Sequence, residues 1–101
     1  QASDVYKRQA LLVRIILSSS KAGDTVFDPF AGTGTTAVCA AQLGRNSISV
    51  EIDGENVKCI KERLHSRRSA DSVEKFFEHY KFTENLTEIW GELRKMRPQA
   101  R

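Results

Sequence analysis

The chain has few of the residues that usually staple a fold or announce a chemistry: two cysteines, two prolines, two histidines and one tryptophan in 101 residues. Cys39 and Cys59 show neither Cys-x-x-Cys spacing nor a histidine cluster, which argues against a zinc site and a disulfide framework. Both are expected on helices, as free and partly buried thiols in a reducing cytoplasm. No apolar run approaches the roughly 18 residues of a membrane span, and no secretory n-region and h-region pattern opens the chain. There is no Ser-His-Asp candidate, no metal-ligating cluster and no P-loop lysine. Pro29 and Pro98 are not adjacent, and no repeat or low-complexity tract occurs. A net charge of +3 excludes little. Residues 1–57 hold 5 basic and 6 acidic side chains, and residues 58–101 hold 11 and 7. The downstream excess suits a polyanionic partner, and equally suits ordinary solvated helices. With 40% hydrophobic residues the chain makes one domain at most, with a modest core.

What is present is concentrated between Gly23 and Asp53. Thr25-Val26-Phe27 is a short β-rich run closed by Asp28-Pro29. Gly32 and Gly34 let the backbone approach a ligand where a Cβ would collide. Thr35 and Thr36 open an Ala-rich helix with apolar positions at Val38, Ala41 and Leu43, and Gly44 suits its C′ position. Ser47 to Glu51 alternates and carries Ile48 and Val50, which predicts a second strand. A strand–helix–strand unit of this kind gives parallel strands with a right-handed crossover. Its ligand crevice lies at the carboxyl ends of the strands, where Asp28, the glycines and Glu51 fall.

Gly32-Thr33-Gly34-Thr35-Thr36-Ala37 satisfies the permissive dinucleotide pattern G-x-G-x-x-G/A, and Glu51 follows at about the spacing of an acid that binds ribose hydroxyls. Upstream chemistry discriminates between ligands. Asp28 puts a carboxylate beside the crevice, unfavourable next to a pyrophosphate and favourable next to an ammonium and a sulfonium. The positive end of the helix starting near Thr35 suits a carboxylate. S-adenosylmethionine carries all three groups, and NAD fits less well.

Gly23-Asp24-x-Val26-x-Asp28-Pro29-Phe30-Ala31-Gly32-x-Gly34-Thr35-Thr36, followed by Ala40-Ala41, Leu43-Gly44-Arg45 and Val50-Glu51-Ile52-Asp53, closely resembles the cofactor half of amino-methylating (N4-cytosine/N6-adenine) DNA methyltransferases. The resemblance covers roughly residues 10 to 65, and its DPFAGTGTT core is far more specific than the glycines alone. It implies an α/β, partial Rossmann-like, S-adenosylmethionine-dependent methyltransferase fold, with parallel strands, flanking helices and further C-terminal helices. By resemblance, Asp28 and Phe30 serve the methionine end of the cofactor. Gly32, Thr33, Gly34, Thr35 and Thr36 form the loop and helix start around it. Glu51 binds the ribose hydroxyls and Ile52 packs on the adenine. No catalytic residue is assigned: the family's Asp/Asn/Ser-Pro-Pro-aromatic motif is absent, and Asp28-Pro29-Phe30 lacks its second proline. The Lys-Pro element usual just before the first helix of the family is absent too.

Along the rest of the chain, residues 1–9 are expected to be a non-native or disordered leader, because they lack periodicity and resemble a translated sequencing-adapter read-through. Residues 10–68 form the S-adenosylmethionine-binding part. Its first helix spans Ala10 to Ser20, with Leu12, Ile15 and Ile16 on one face, and Ser18 to Gly23 is a linker. Asp53 caps a helix from about Gly54 to Arg67 that turns Val57, Ile60 and Leu64 toward the sheet. Lys58, Lys61, Arg63, Arg67 and Arg68 are expected mostly on its solvated side. Residues 69–101 are a helical extension. Asp71-Ser72-Val73-Glu74 reads as a capping box for a helix with Val73, Phe76, Phe77 and Tyr80, and Asn85-Leu86-Thr87-Glu88 as a second box before Leu86, Ile89, Trp90 and Leu93. The aromatics are expected in a core or docking surface.

One branch of the resembled family carries its cofactor motif near the C-terminus, after the catalytic and target-recognition parts. The expectation is therefore a C-terminal cofactor-binding fragment of a cytoplasmic DNA methyltransferase, inactive alone. It would meet double-stranded DNA through the complete enzyme and would need the missing N-terminal part. Two other readings stand beside it: an NAD-binding Rossmann fragment, and a non-catalytic helical interaction module. An RNA-methylating relative is a nearer variant, and the motif does not choose between adenine and cytosine.

Overall fold

The computed structural model describes residues 2–80. Helix α1 (Ala2–Ser19) leads into strand β1 (Thr25–Asp28), helix α2 (Thr35–Gln42), strand β2 (Asn46–Ser49) and helix α3 (Gly54–His65). Two 3-10 segments follow, Ser69–Asp71 and Glu74–His79. The expected second apolar stripe, at residues 85–93, lies outside the described residues.

The two strands pair in parallel, with Thr25 opposite Asn46 and Asp28 opposite Ser49. Two bonds beyond β2, from the Val50 amide to the Asp28 carbonyl (2.9 Å) and from the Ala31 amide to the Val50 carbonyl (3.0 Å), carry the pairing to the glycine loop. Helix α2 makes the crossover and ends as its sequence predicts. Gly44 is left-handed (φ 76°), its amide donates to the Ala41 carbonyl, and the Arg45 amide donates to the Ala40 carbonyl at 2.8 Å. This is the Schellman pairing that satisfies a helix's last carbonyls. Arg45 then ties the amino ends of the strands to α1, through Ser20 Oγ at 3.0 Å and the Ser20 carbonyl at 2.7 Å. The serine run therefore sits at the pole opposite the carboxyl ends of the strands.

The core joins Val13 and Ile16 of α1, Cys39, Ala40 and Leu43 of α2, and Val73 and Phe76 of the segment after α3. Helix α1 differs from expectation in extent and in face. It includes residues 2–9, which the sequence reading sets aside: Gln9 is buried, its Nε2 donates to the Ala70 carbonyl at 2.7 Å, and Tyr6 lies 5.0 Å from Phe76 ring to ring. With Gln9 on the inner face, the buried stripe becomes Gln9, Val13 and Ile16, at i, i+4 and i+7. Ile15 is rotated into solvent.

The third helix also departs from its expected pattern. Asp53 is its N-cap, as expected, with Oδ1 accepting from the Glu55 amide at 2.9 Å. It stops at His65, however; Ile60 is buried, Leu64 is exposed and Arg63 is buried. Asp71 does not cap the segment after it; its carboxylate instead accepts from the Arg68 amide at 3.2 Å, at the start of the Ser69–Asp71 turn. Its carboxylate is fully buried between Arg63 and Arg68, so the segment after it winds as 3-10 turns. Val73 and Phe76 nevertheless enter the core as expected.

Among the described residues, nothing covers one face of the sheet. Phe27 and Ile48 are register partners, hence on the same face, and they are 60% and 55% exposed. A bare apolar sheet face is unstable in water without a covering layer.

Candidate functional site

The carboxyl ends of β1 and β2 converge on the glycine loop. At the end of β1, the half-buried Asp28 accepts a bond from the Phe30 amide through Oδ1 at 3.0 Å. The chain thereby turns sharply, leaving Phe30 88% exposed on the rim. At the end of β2, Glu51 reaches across: Oε1 accepts from the Gly32 amide at 2.8 Å, and Oε2 accepts from the Asp53 amide (3.0 Å) and Asn56 Nδ2 (3.3 Å). These bonds, from Asp53, Asn56 and Gly32, hold its carboxyl below its ordinary value, so it is ionised at neutral pH. Glu51 accepts three bonds here, fewer than the roughly four its carboxylate can take, so it keeps capacity for one more donor. Next to it, Ile52 is wholly exposed.

The loop itself is built for close approach. Gly32 and Gly34 both have positive φ, 56° and 92°. A Cβ on Gly34 would stand 2.7 Å from Ile60 Cγ1, whereas one on Gly32 would meet nothing within 4 Å. Gly34 thus lets α3 pack under the loop, and Gly32 keeps the side facing the crevice clear. Gly34 is also the N-cap of α2 and, having no side chain, makes no cap bond to its first amides. The first amides of α2 and the positive end of its dipole lie at this end of the loop, at Thr35 and Thr36, an arrangement that attracts a carboxylate or another anion.

The structure therefore brings Asp28, Gly32 and Glu51 together at the strand ends, with Thr33, Gly34, Thr35 and Thr36 forming the adjoining wall and Phe30 and Ile52 exposed beside it. It adds two residues that the sequence reading does not single out for the site. Asn56 steadies Glu51 from the first turn of α3. Arg63, expected on a solvated side, donates to the Thr33 carbonyl at 2.8 Å and lies 3.4 Å from the hydroxyls of both Thr33 and Thr35. A signal for Arg63 existed: it lies three residues after Ile60, on the inward side of α3, with Asp71 downstream to neutralise it.

Residues 6–62, more than half of the chain, match the family model of the DNA methylases (N6/N4 type). The chain belongs to the N6/N4 DNA methylase family. The type II methyltransferase M2.DpnII of Streptococcus pneumoniae is 43% identical over 65 residues, which are 64% of this chain and 24% of that protein. The DNA adenine methyltransferase YhdJ of Escherichia coli is 48% identical over 71 residues, 68% of this chain and 24% of YhdJ. Among solved structures, the Thermus thermophilus protein TTHA0409, complexed with S-adenosyl-L-methionine, superposes with a TM-score of 0.54 at 43% identity. That match covers 55% of this chain and 23% of TTHA0409. This N6/N4 methylase chain thus spans about a quarter of the length of these relatives. Its fold is the partial Rossmann-like α/β fold expected from the sequence. The family match begins at residue 6, inside the segment that the sequence reading sets aside.

Among the described residues, no group of three or more His, Cys, Asp or Glu side chains could hold a metal ion, and no helix is long and apolar enough to cross a membrane.

Proposed function

We propose that this chain is the S-adenosylmethionine-binding part of a site-specific DNA methyltransferase that modifies the exocyclic amino group of adenine or cytosine. One observation carries the reading. Two carboxylates and the open start of α2 converge at the strand ends, and that donor and acceptor set fits a ligand with an ammonium, a sulfonium, a carboxylate and a ribose. Asp28 faces the cationic methionine end, where its charge is favourable, and a pyrophosphate there would be repelled. The uncapped amides of α2 receive the ligand carboxylate, Glu51 accepts from the ribose hydroxyls, and Phe30 and Ile52 supply the apolar rim against which a thioether chain and a purine pack. The cofactor, when bound, supplies an activated methyl group. The residues of this chain bind and orient it at the strand ends.

The remainder of the reaction belongs to residues outside this chain. A flipped base needs a pocket with hydrogen-bond acceptors for its amino group, and the Asp/Asn/Ser-Pro-Pro-aromatic element that the resemblance implies for it is absent. The sheet face at Phe27 and Ile48, which is exposed among the described residues, fits the same division of labour, since the complete enzyme would cover it. That enzyme would meet double-stranded DNA. A cytoplasmic setting goes with this reading, because both cysteines are free thiols.

Calorimetric titration with S-adenosylhomocysteine, and separately with NAD, tests the reading. The expected result is binding of the first ligand only, weakened by Asp28→Ala and by Glu51→Ala. Binding of NAD in its place would assign the glycine loop to a dinucleotide. A folded chain that binds neither would leave the loop as a structural turn.

A further inference from the structure

We infer that Arg63, anchored by Asp71, is a positioning residue for the glycine loop, so that the segment after α3 is part of the working cofactor site. The inference rests on the proposed cofactor reading and extends it to two residues beyond the family match, which ends at residue 62.

Arginine is seldom buried without strong cause. Arg63 is 5% exposed and Asp71 is fully buried. One arm of the guanidinium, Nη2, meets Asp71 Oδ1 at 2.8 Å, and the other, Nη1, donates to the Thr33 carbonyl at 2.8 Å. Thr33 is the residue between the two positive-φ glycines, Gly32 and Gly34. A planar fork that holds a carboxylate on one side and a backbone carbonyl on the other fixes that peptide in angle as well as in distance. Arg68 completes the brace from the solvent side, with Nη2 at 2.9 Å and Nε at 3.2 Å from the Asp71 carboxylate.

The brace does not need to be ionic for packing alone. Replacing a buried ion pair by apolar groups is often neutral for stability, whereas removing one partner is costly. What apolar groups cannot supply is a donor to the Thr33 carbonyl. The paired variant Arg63→Met/Asp71→Leu therefore separates positioning from folding. Arg63→Lys keeps a positive charge but lacks the fork, so its side chain reaches Asp71 or Thr33 and not both.

The test measures three properties of the full chain and of both variants: urea midpoint, amide hydrogen exchange at Gly34 and Val38, whose amides are bonded to the Ala31 and Gly34 carbonyls, and affinity for S-adenosylhomocysteine by calorimetry. The double variant is expected to keep its midpoint, to exchange faster at those amides, and to bind about tenfold more weakly, which is ~1.4 kcal/mol. If it does not fold, Arg63→Lys carries the test, with faster exchange and weaker binding expected. Unchanged exchange in a folded variant overturns the inference whether or not ligand binds. Unchanged affinity beside a wild-type chain that does bind also overturns it. A wild-type chain that binds nothing overturns the cofactor reading instead, and exchange still decides the brace.

Discussion

The contact between Gly34 and Ile60 gives a quantitative handle on how the loop is held. Gly32→Ala and Gly34→Ala both force a side chain into left-handed backbone (φ 56° and 92°), at ~1–2 kcal/mol each. Both also narrow the unfolded ensemble, which offsets that cost by roughly 0.4–1 kcal/mol. They differ in space. The Cβ at 32 meets nothing within 4 Å, and the Cβ at 34 stands 2.7 Å from Ile60 Cγ1 and 3.2 Å from Cβ and Cγ2. Ile60 is 7% exposed and packed, so it has little room to withdraw, and overpacking adds ~1–3 kcal/mol. In a chain of this size each kcal/mol moves the melting temperature by roughly 4–8 °C. Thermal denaturation should therefore show Gly34→Ala losing roughly 4–24 °C more than Gly32→Ala. Ile60→Ala removes Cγ1 and Cγ2, and although it costs ~2–5 kcal/mol alone, in the Gly34→Ala background it should recover part of the loss. A coupling of roughly 0.5–3 kcal/mol is expected from the double-mutant cycle. Equal melting temperatures for the two alanine variants, or a strictly additive cycle, would refute the close packing of α3 under the loop.

Three further outcomes follow from the same contacts. Asp71→Ala strands the buried Arg63 charge and should cost ~3–5 kcal/mol in urea denaturation. Burial pushes the Asp71 carboxyl up, but the bonds from Arg68 and Arg63 outweigh it and hold the group well below the usual carboxylate range. Its contribution to stability is therefore complete above its ordinary value of 3.8 and is lost as pH falls from there through the folded value; a shallower acid loss is expected of Asp71→Asn. Burial pushes the Cys39 thiol up to about 11, so alkylation of the native chain at mildly alkaline pH should label Cys59 and spare Cys39 until urea is added, and native labelling of Cys39 would contradict its place in the core. Gln9→Ala should destabilise by roughly 0.5–1.5 kcal/mol, by removing its bond to the Ala70 carbonyl, which keeps the longer bond from Lys75 Nζ (3.2 Å); no effect on the melting temperature would mean that Gln9 does not pack against Ala70 as it does here.

What the sequence made legible was the local chemistry. The β1–loop–α2–β2 order, the Gly44 terminus, the Asp53 cap and the gathering of Asp28, Gly32 and Glu51 at the strand ends all depend on residues close in sequence or on strand polarity, which pattern reveals. Interactions that close over distance were not legible. Arg63 looks like one of several cations on a polar helix face until Asp71, eight residues on, is seen to neutralise it. The same pairing explains why Asp71 does not cap the segment that follows: its carboxylate is taken by two guanidinium groups and by the Arg68 amide. In α1, the choice between Leu12-Ile15-Ile16 and Val13-Ile16 turned on Gln9, a polar residue whose burial depends on the Ala70 carbonyl, 61 positions away. Phe27 and Ile48 read as strand residues and stand exposed, and no described residue covers them.

We propose the glycine loop as a ligand site for an adenosyl amino acid. The most direct measurement is a two-dimensional amide NMR titration of the labelled chain with S-adenosylhomocysteine. The account predicts saturable shifts at Gly32, Gly34, Thr35 and Ile52, with Val13, Val73 and Phe76 unmoved. A folded chain whose loop amides stay in place at saturating ligand, or whose shifts gather instead around Leu64 and His65, would contradict it.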